Sequence, residues 1–324
     1  MISRRLVARL MLGFLLAPTA QIALAQAYPS KPIRIVVPFG AGGVADLTVR
    51  TVAQKLSESM GQPVIIDNKP GAGGVAAGDM VAKAEPDGHT LLLMSNGTAV
   101  SAGLFKSLPF DTMRDFVPIS TLGYFDIAIL TAADTKFKSL GDVLAYAKVN
   151  PGKLNLGTIN IGSTQNLAAE LFKTAAGIDV QIVPFNGTPA VITALRGGQI
   201  DVAIEILAPV LPQIAAKAVR ALAVTGDSRT EVLPEVATAK ELGLPNYIAS
   251  SWNALAAPAK TPPGVVARLN AELQAALKAP DVVKKLHDLS VKAQGATSEQ
   301  TAQLLAGDIK RWGDVIVRAK IPLQ

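Results

Sequence analysis

The first spacing in the chain that could do chemistry lies in VPFGAGGVADLTVR, residues 37–50. Gly40, Gly42 and Ala45 stand as G-x-G-x-x-A, the turn that brings peptide N–H groups against a pyrophosphate between a strand and a helix. A second strand, PVIID, ends in Asp67, near where a ribose-binding acid would stand. A nicotinamide-dependent oxidoreductase is one reading of this pattern. Capture of a small anion by the same N–H groups is the other, because any helix start exposes unpaired donors and a partial positive charge.

The remaining inventory narrows the chemistry. There is no cysteine, which removes thiolate metal sites and cysteine nucleophiles, and there are only two histidines. His89, in EPDGHT, leads into a strand, and His287, in KKLHDL, lies on a helix face; both read as surface or structural residues. No metal site can be assembled from them, and no G-x-S-x-G nucleophile elbow exists for an exported hydrolase.

Behind these residues stand the elements that must hold them. The chain of 324 residues opens with Arg4, Arg5 and Arg9, an apolar stretch from Leu10 to Ala17 and small residues at Ala23 and Ala25. That is the plan of a secretory signal peptide over residues 1–25, cleaved after Ala25 or after Ala27, with the general secretory route favoured over the twin-arginine route. The apolar stretch is too short to span a bilayer. Basic and acidic residues number 31 and 25; without the three leader arginines they number 28 and 25, a net charge of +3. They are scattered and aromatics are few, so no nucleic-acid partner is expected. A monomer without cofactor is expected. An exported chain has no pool of soluble NAD to draw on, which weighs against the oxidoreductase.

Apolar strand-like runs alternate with helix-period segments along the whole chain, which predicts an α/β fold with largely parallel sheets and two lobes. In such folds ligands bind beyond the carboxyl ends of the strands. The junctions there are PFGAGGVAD, NKPGAGGVA, MSNGTA, NIGSTQN and PFNGTPA, rich in Gly, Ser, Thr and Asn, with Lys69 their one basic residue. IVVPFG at 35–40 is echoed by QIVPFNG at 181–187, and the two read as equivalent corners, one per lobe, facing each other. Opposed corners of this kind clamp an anion without an arginine.

Taken in order, YPSKPIRIVVPFGAGGVAD, DNKPGAGGVAAGDMVAKAEPDGHTLLL, GSTQNLAAELF, VPFNGTPAVITALRGGQIDV and LPNYIASSWNALAAPAKTPPGVVARLNAEL resemble the Bug family, the extracytoplasmic solute receptors of tripartite tricarboxylate transporters. The resemblance implies a type II-like periplasmic binding protein that closes its two lobes on a small organic acid or amino acid. It implies delivery to membrane permease subunits, with a ligand-sensing protein that feeds a regulator as the alternative. It also implies that a carboxylate is held, partly through water, between the loops that match PFGAGGVAD and PFNGTPA. The family often has a histidine where this chain has Asn166.

The expected lobes are 28–122 with 225–324, and 123–224. Expected ligand contacts in the first are Phe39, Gly40, Ala41, Gly42, Gly43, Ser95 and Asn96. In the second they are Gly162, Ser163, Thr164, Gln165, Phe185, Asn186, Gly187, Thr188 and Glu205. Phe39 and Phe185 either wall the ligand or plug the ends of their strands. Asp46 either caps the first helix or pairs with a ligand amine. Glu205, near the cleft end of its strand, needs a partner if buried.

Overall fold

The protein is described here from a computed structural model over residues 28–324; the expected leader lies outside the described residues. The chain runs β1 (Ile33–Val37), α1 (Val44–Met60), β2 (Val64–Asn68), α2 (Val75–Ala82), β3 (Thr90–Ser95) and α3 (Asn96–Leu104). A long β4 (Phe116–Ala132) follows, then α4 (Leu140–Val149), β5 (Asn155–Ile159), α5 (Thr164–Ala176), β6 (Gln181–Phe185) and α6 (Thr188–Arg196). Next come β7 (Val202–Ile206), α7 (Leu211–Ala215), β8 (Val219–Val224) and β9 (Ser250–Pro258). The chain ends with α8 (Pro263–Lys278), α9 (Pro280–Asp288), β10 (Lys292–Ala293) and α10 (Ser298–Arg318).

The strand order is β2-β1-β3-β9-β4-β7-β5-β6, with β8 and β10 also paired to β4. The blocks β2-β1-β3 and β7-β5-β6 are parallel, as βαβ crossovers require, whereas β9 and β4 between them run antiparallel to their neighbours. The sheet as a whole is therefore mixed. Its middle strand is longer than the sequence pattern indicated. Pro118 reads as a loop residue, yet β4 already begins at Phe116, because Pro118 sits beside a register shift between Pro118 and Ser120. A bulge is where a strand tolerates a residue without an N–H.

β4 joins the two halves. From Phe116 to Asp126 it pairs with β9; from Ile127 it pairs with β7 and, one residue further on, with β8. The chain returns beside the same point: the Thr225 N–H donates to the Ile127 carbonyl, and the Ala249 N–H donates to the Thr225 carbonyl.

Each helix is placed by its apolar stripe. Val49, Val52, Ala53, Leu56 and Met60 bury one face of α1, and Gly61 ends it in the left-handed conformation. That face joins α8 and α9 over Ile35, Leu93 and Leu255 in the first half. In the second half, Val191 and Leu195 of α6 pack on Leu130 and Ala203. A larger cluster runs through both halves beneath α10, with Trp252, Trp312, Met94 and Phe172 at its centre. Trp252 donates its indole N–H to Asp308 Oδ2 at 2.7 Å, so it is a core residue. No helix among the described residues is long and apolar enough to cross a membrane.

Candidate functional site

Four of the helices that follow the carboxyl ends of strands begin around one cavity of about 780 Å³. The first turns of α1, α3, α5 and α6 contribute Gly43 to Ala45, Gly97 and Thr98, Thr164 and Gln165, and Thr188. Phe39 stands at the mouth, 38% exposed, with Ile161 opposite and Phe125 deeper. No Lys, Arg, His, Asp or Glu side chain among the described residues lines the cavity. The charge-bearing contacts available to an anion are therefore peptide dipoles.

In α1 the Val44 and Ala45 N–H groups find no acceptor among the described residues, and the same holds for Thr164 and Gln165 in α5 and Thr188 in α6. The free donors thus stand one to three residues downstream of the glycines that mark the loops in the sequence. Gly43 lines the cavity; Gly40, Ala41 and Gly42 are exposed outside it. Gly42 uses its N–H on Asp46 Oδ2, at 2.8 Å.

Asp46 is buried and braces this loop. Its carboxylate also accepts from Arg50 Nε at 2.9 Å and from Asn68 Nδ2 at 2.8 Å, and Asn68 reaches the Phe39 carbonyl as well. Burial raises its pKa, but these hydrogen bonds and the Arg50 charge outweigh burial and hold it below the usual carboxylate range. With both oxygens engaged it is a structural residue, not a partner for a ligand amine. Asp67, the acid a dinucleotide would need, is likewise occupied: Arg34 Nε donates to it at 2.9 Å.

In the second half the turn before α5 is built by Asn166. Its Oδ1 accepts from the Gly162 N–H at 3.1 Å and its amide donates to Thr158 Oγ1 at 3.3 Å. Ser163 caps the helix by accepting from the Asn166 N–H. Gly162, Ser163, Thr164 and Gln165 all line the cavity. Gly162 has φ near +78°, which strains any side chain, and a Cβ there would stand 2.3 Å from Leu104 Cδ2 of α3, so that side chain would have to shift.

Glu205 is fully buried behind this wall. Its Oε2 accepts from Thr188 Oγ1 at 2.9 Å and from Gln165 Nε2 at 3.3 Å, while Oε1 has no partner among the described residues. Burial pushes its carboxyl up to about 7, against the smaller lowering by the two side-chain hydrogen bonds. It orients Gln165 and Thr188 from behind the lining and does not itself line the cavity. Phe185, Asn186 and Gly187 also lie outside the lining. Phe185 packs with the apolar cluster under α6 and against the Gly157 backbone of β5, which makes it a strand plug.

Ser95 lines the cavity and caps α3, accepting from the Gly97 N–H. Asn96 is placed elsewhere than its residue type indicated. It is fully buried, donates to Thr164 Oγ1 at 3.2 Å and accepts from Trp312 Nε1 at 2.6 Å, tying α3 to α5 and α10. Asn96→Ala is expected to cost roughly 1–3 kcal/mol of unfolding free energy, since it strands the buried Trp312 N–H. A urea midpoint equal to that of the parent protein would contradict this. Lining residues that the sequence pattern did not single out include Thr98, Phe125, Pro209, Ser251 and Asn253. The last two stood in plain view as polar residues at alternate positions of an apolar strand.

A family model described as "Tripartite tricarboxylate transporter family receptor" matches residues 48–321. The chain belongs to the tripartite tricarboxylate transporter receptor family. Its family is one of solute-binding receptors. Protein BugT of Bordetella pertussis is 35% identical over 294 residues, covering 90% of each chain. Among solved structures, Rpa4515 of R. palustris with adipate superposes with a TM-score of 0.79 at 30% identity, covering 91% of this chain and 99% of that one. MatC of Rhodopseudomonas palustris with bound malate gives a TM-score of 0.75 at 33% identity, covering 89% of this chain and all of that one. Family membership and the fold together account for the two-lobed α/β architecture with a cleft between the lobes.

Proposed function

We propose that this receptor is exported to the periplasm, captures a small organic acid by its carboxylate and delivers it to the membrane permease subunits of a tripartite tricarboxylate-type transporter. The observation that carries the reading is the convergence of four helix N-termini on a cavity that no charged side chain among the described residues lines. A carboxylate seated between the Val44 and Ala45 amides on one side and the Thr164, Gln165 and Thr188 amides on the other would meet donors from both lobes. Such donors are preorganised and need no counter-ion. Adipate and malate bound in the two similar structures support the ligand class. The protein acts as a binding protein and not as an enzyme.

The lobes of this reading are residues 28–122 with 225–324, and residues 123–224, hinged where β4 changes partners at Asp126 and Ile127. A ligand touching both lobes prefers the closed form and so drives closure. A thermal-shift screen with adipate, malate and other organic acids tests capture, because a ligand specific for the folded state raises the melting temperature. Small-angle scattering tests closure. The radius of gyration is expected to fall when the acid that raises the melting temperature saturates the protein. Equal radii with and without that acid would exclude closure.

A further inference from the structure

Asn253 lies on the floor of the cavity, on a face whose pattern calls for an apolar residue. Along β9 the side chains of Leu255 and Ala257 pack under α1 and α8, in the same cluster as Leu93 of β3. Asn253 and Ser251 continue that face by the two-residue period of a strand, and cross-strand pairing sets Ser95 beside Asn253 and Phe125 beside Ser251. All four line the cavity.

Asn253 is fully buried, and neither its Oδ1 nor its Nδ2 has a partner among the described residues. A buried amide with both ends unanswered is a defect if its role is packing. It is an asset if a ligand answers it.

Building on the carboxylate reading above, we propose that Asn253, with Ser251, forms a second subsite that reads an uncharged hydrogen-bonding group, a hydroxyl or an amide, at the far end of an acid with an apolar body. The amide offers an acceptor and two donors. A hydroxyl or amide answers both kinds, whereas a second carboxylate answers only the donors and faces the Asn253 carbonyl. Among the described residues no cationic side chain lines the cavity to offset a second negative charge. Phe39, Phe125, Leu104 and Ile161 also line the cavity, which suits an apolar body.

The test compares acids that differ only at the distal end: hexanoate with 6-hydroxyhexanoate and adipate, and benzoate with 4-hydroxybenzoate. In calorimetric titrations the parent protein is expected to bind the hydroxylated member of a series at least 10-fold more tightly than the unsubstituted one. Asn253→Leu, close to isosteric, is expected to abolish that preference and to raise the ligand-free melting temperature, since it removes the unanswered amide. Ser251→Ala is expected to reduce the preference about threefold.

An unchanged preference in Asn253→Leu, or a fall in its ligand-free melting temperature, overturns the subsite and leaves carboxylate capture standing. Tighter binding of adipate than of 6-hydroxyhexanoate overturns the choice of an uncharged group. Failure of every acid in both series to bind the parent protein overturns carboxylate capture and the subsite together.

Discussion

Gly43→Val is expected to weaken binding of the acid selected by the thermal-shift screen by at least about 100-fold, with the ligand-free fold intact. Gly43 precedes the Val44 and Ala45 amides and lines the cavity. Its φ of −78° and ψ of 166° are ordinary extended values, and a Cβ there would meet only the Gly40 carbonyl, at 3.8 Å. Valine therefore fits the backbone, and replacing glycine at a compatible position also restricts the unfolded chain. What it removes is space above the donors. Two hydrogen bonds to a charged group contribute about 1.5–3 kcal/mol each, so losing both is a change of two to four orders of magnitude in affinity. Calorimetry on the variant, with its urea unfolding curve measured in parallel, separates the two effects. Undiminished affinity at undiminished stability would move the carboxylate away from α1. Gly187 makes a poorer test, because its φ of +93° would strain any side chain and confound lost binding with lost stability.

Glu205→Gln is expected to flatten the pH dependence of stability between about 4.5 and 7 and to make the protein more stable than its parent at pH 8. Burial raises the folded-state pKa of Glu205 from 4.5 to about 7. Below 4.5 the carboxyl is protonated in both states and costs nothing. As pH rises the unfolded chain loses this proton first, the native state then binds more protons, and stability falls. The loss is complete above the folded-state value. A shift of this size corresponds to about 3 kcal/mol at pH 8, which glutamine abolishes by keeping the group neutral. Unfolding curves of both proteins at pH 4.5, 6, 7 and 8 measure it. Parallel pH profiles for parent and variant would show that Glu205 titrates no differently in the two states. The neutral side chain also takes a negative charge away from the back of the Gln165–Thr188 wall, so affinity for an acid at pH 8 is expected to rise.

Much of this molecule can be read without coordinates where short-range physics is sufficient. Strand-helix alternation is set by local periodicity, and it appears as read. Several of the polar junctions at the carboxyl ends of strands line the cavity, and the buried-carboxylate argument for Glu205 anticipated its need for partners. The limit appears at residues whose role depends on distant chain. Asn96 and Thr164 are both polar residues at the first position of a helix that follows a strand. Asn96 is withdrawn from the cavity because Trp312, more than two hundred residues later, arrives to donate to it. Phe39 and Phe185 follow identical Val-Pro dipeptides, and only packing under α6 makes the second a plug while the first stays at the mouth.

Composition, periodicity and turn chemistry sufficed to establish an α/β chain whose strand-to-helix junctions are rich in Gly, Ser, Thr and Asn and nearly free of charged side chains. Those features depend on a residue and its near neighbours. Which of the amides face a common space, which polar groups are consumed in joining the lobes, and that Asn253 stays unanswered on the floor were settled by the assembled fold. Each depends on the direction a side chain takes across a sheet whose adjoining strands are drawn from opposite ends of the chain.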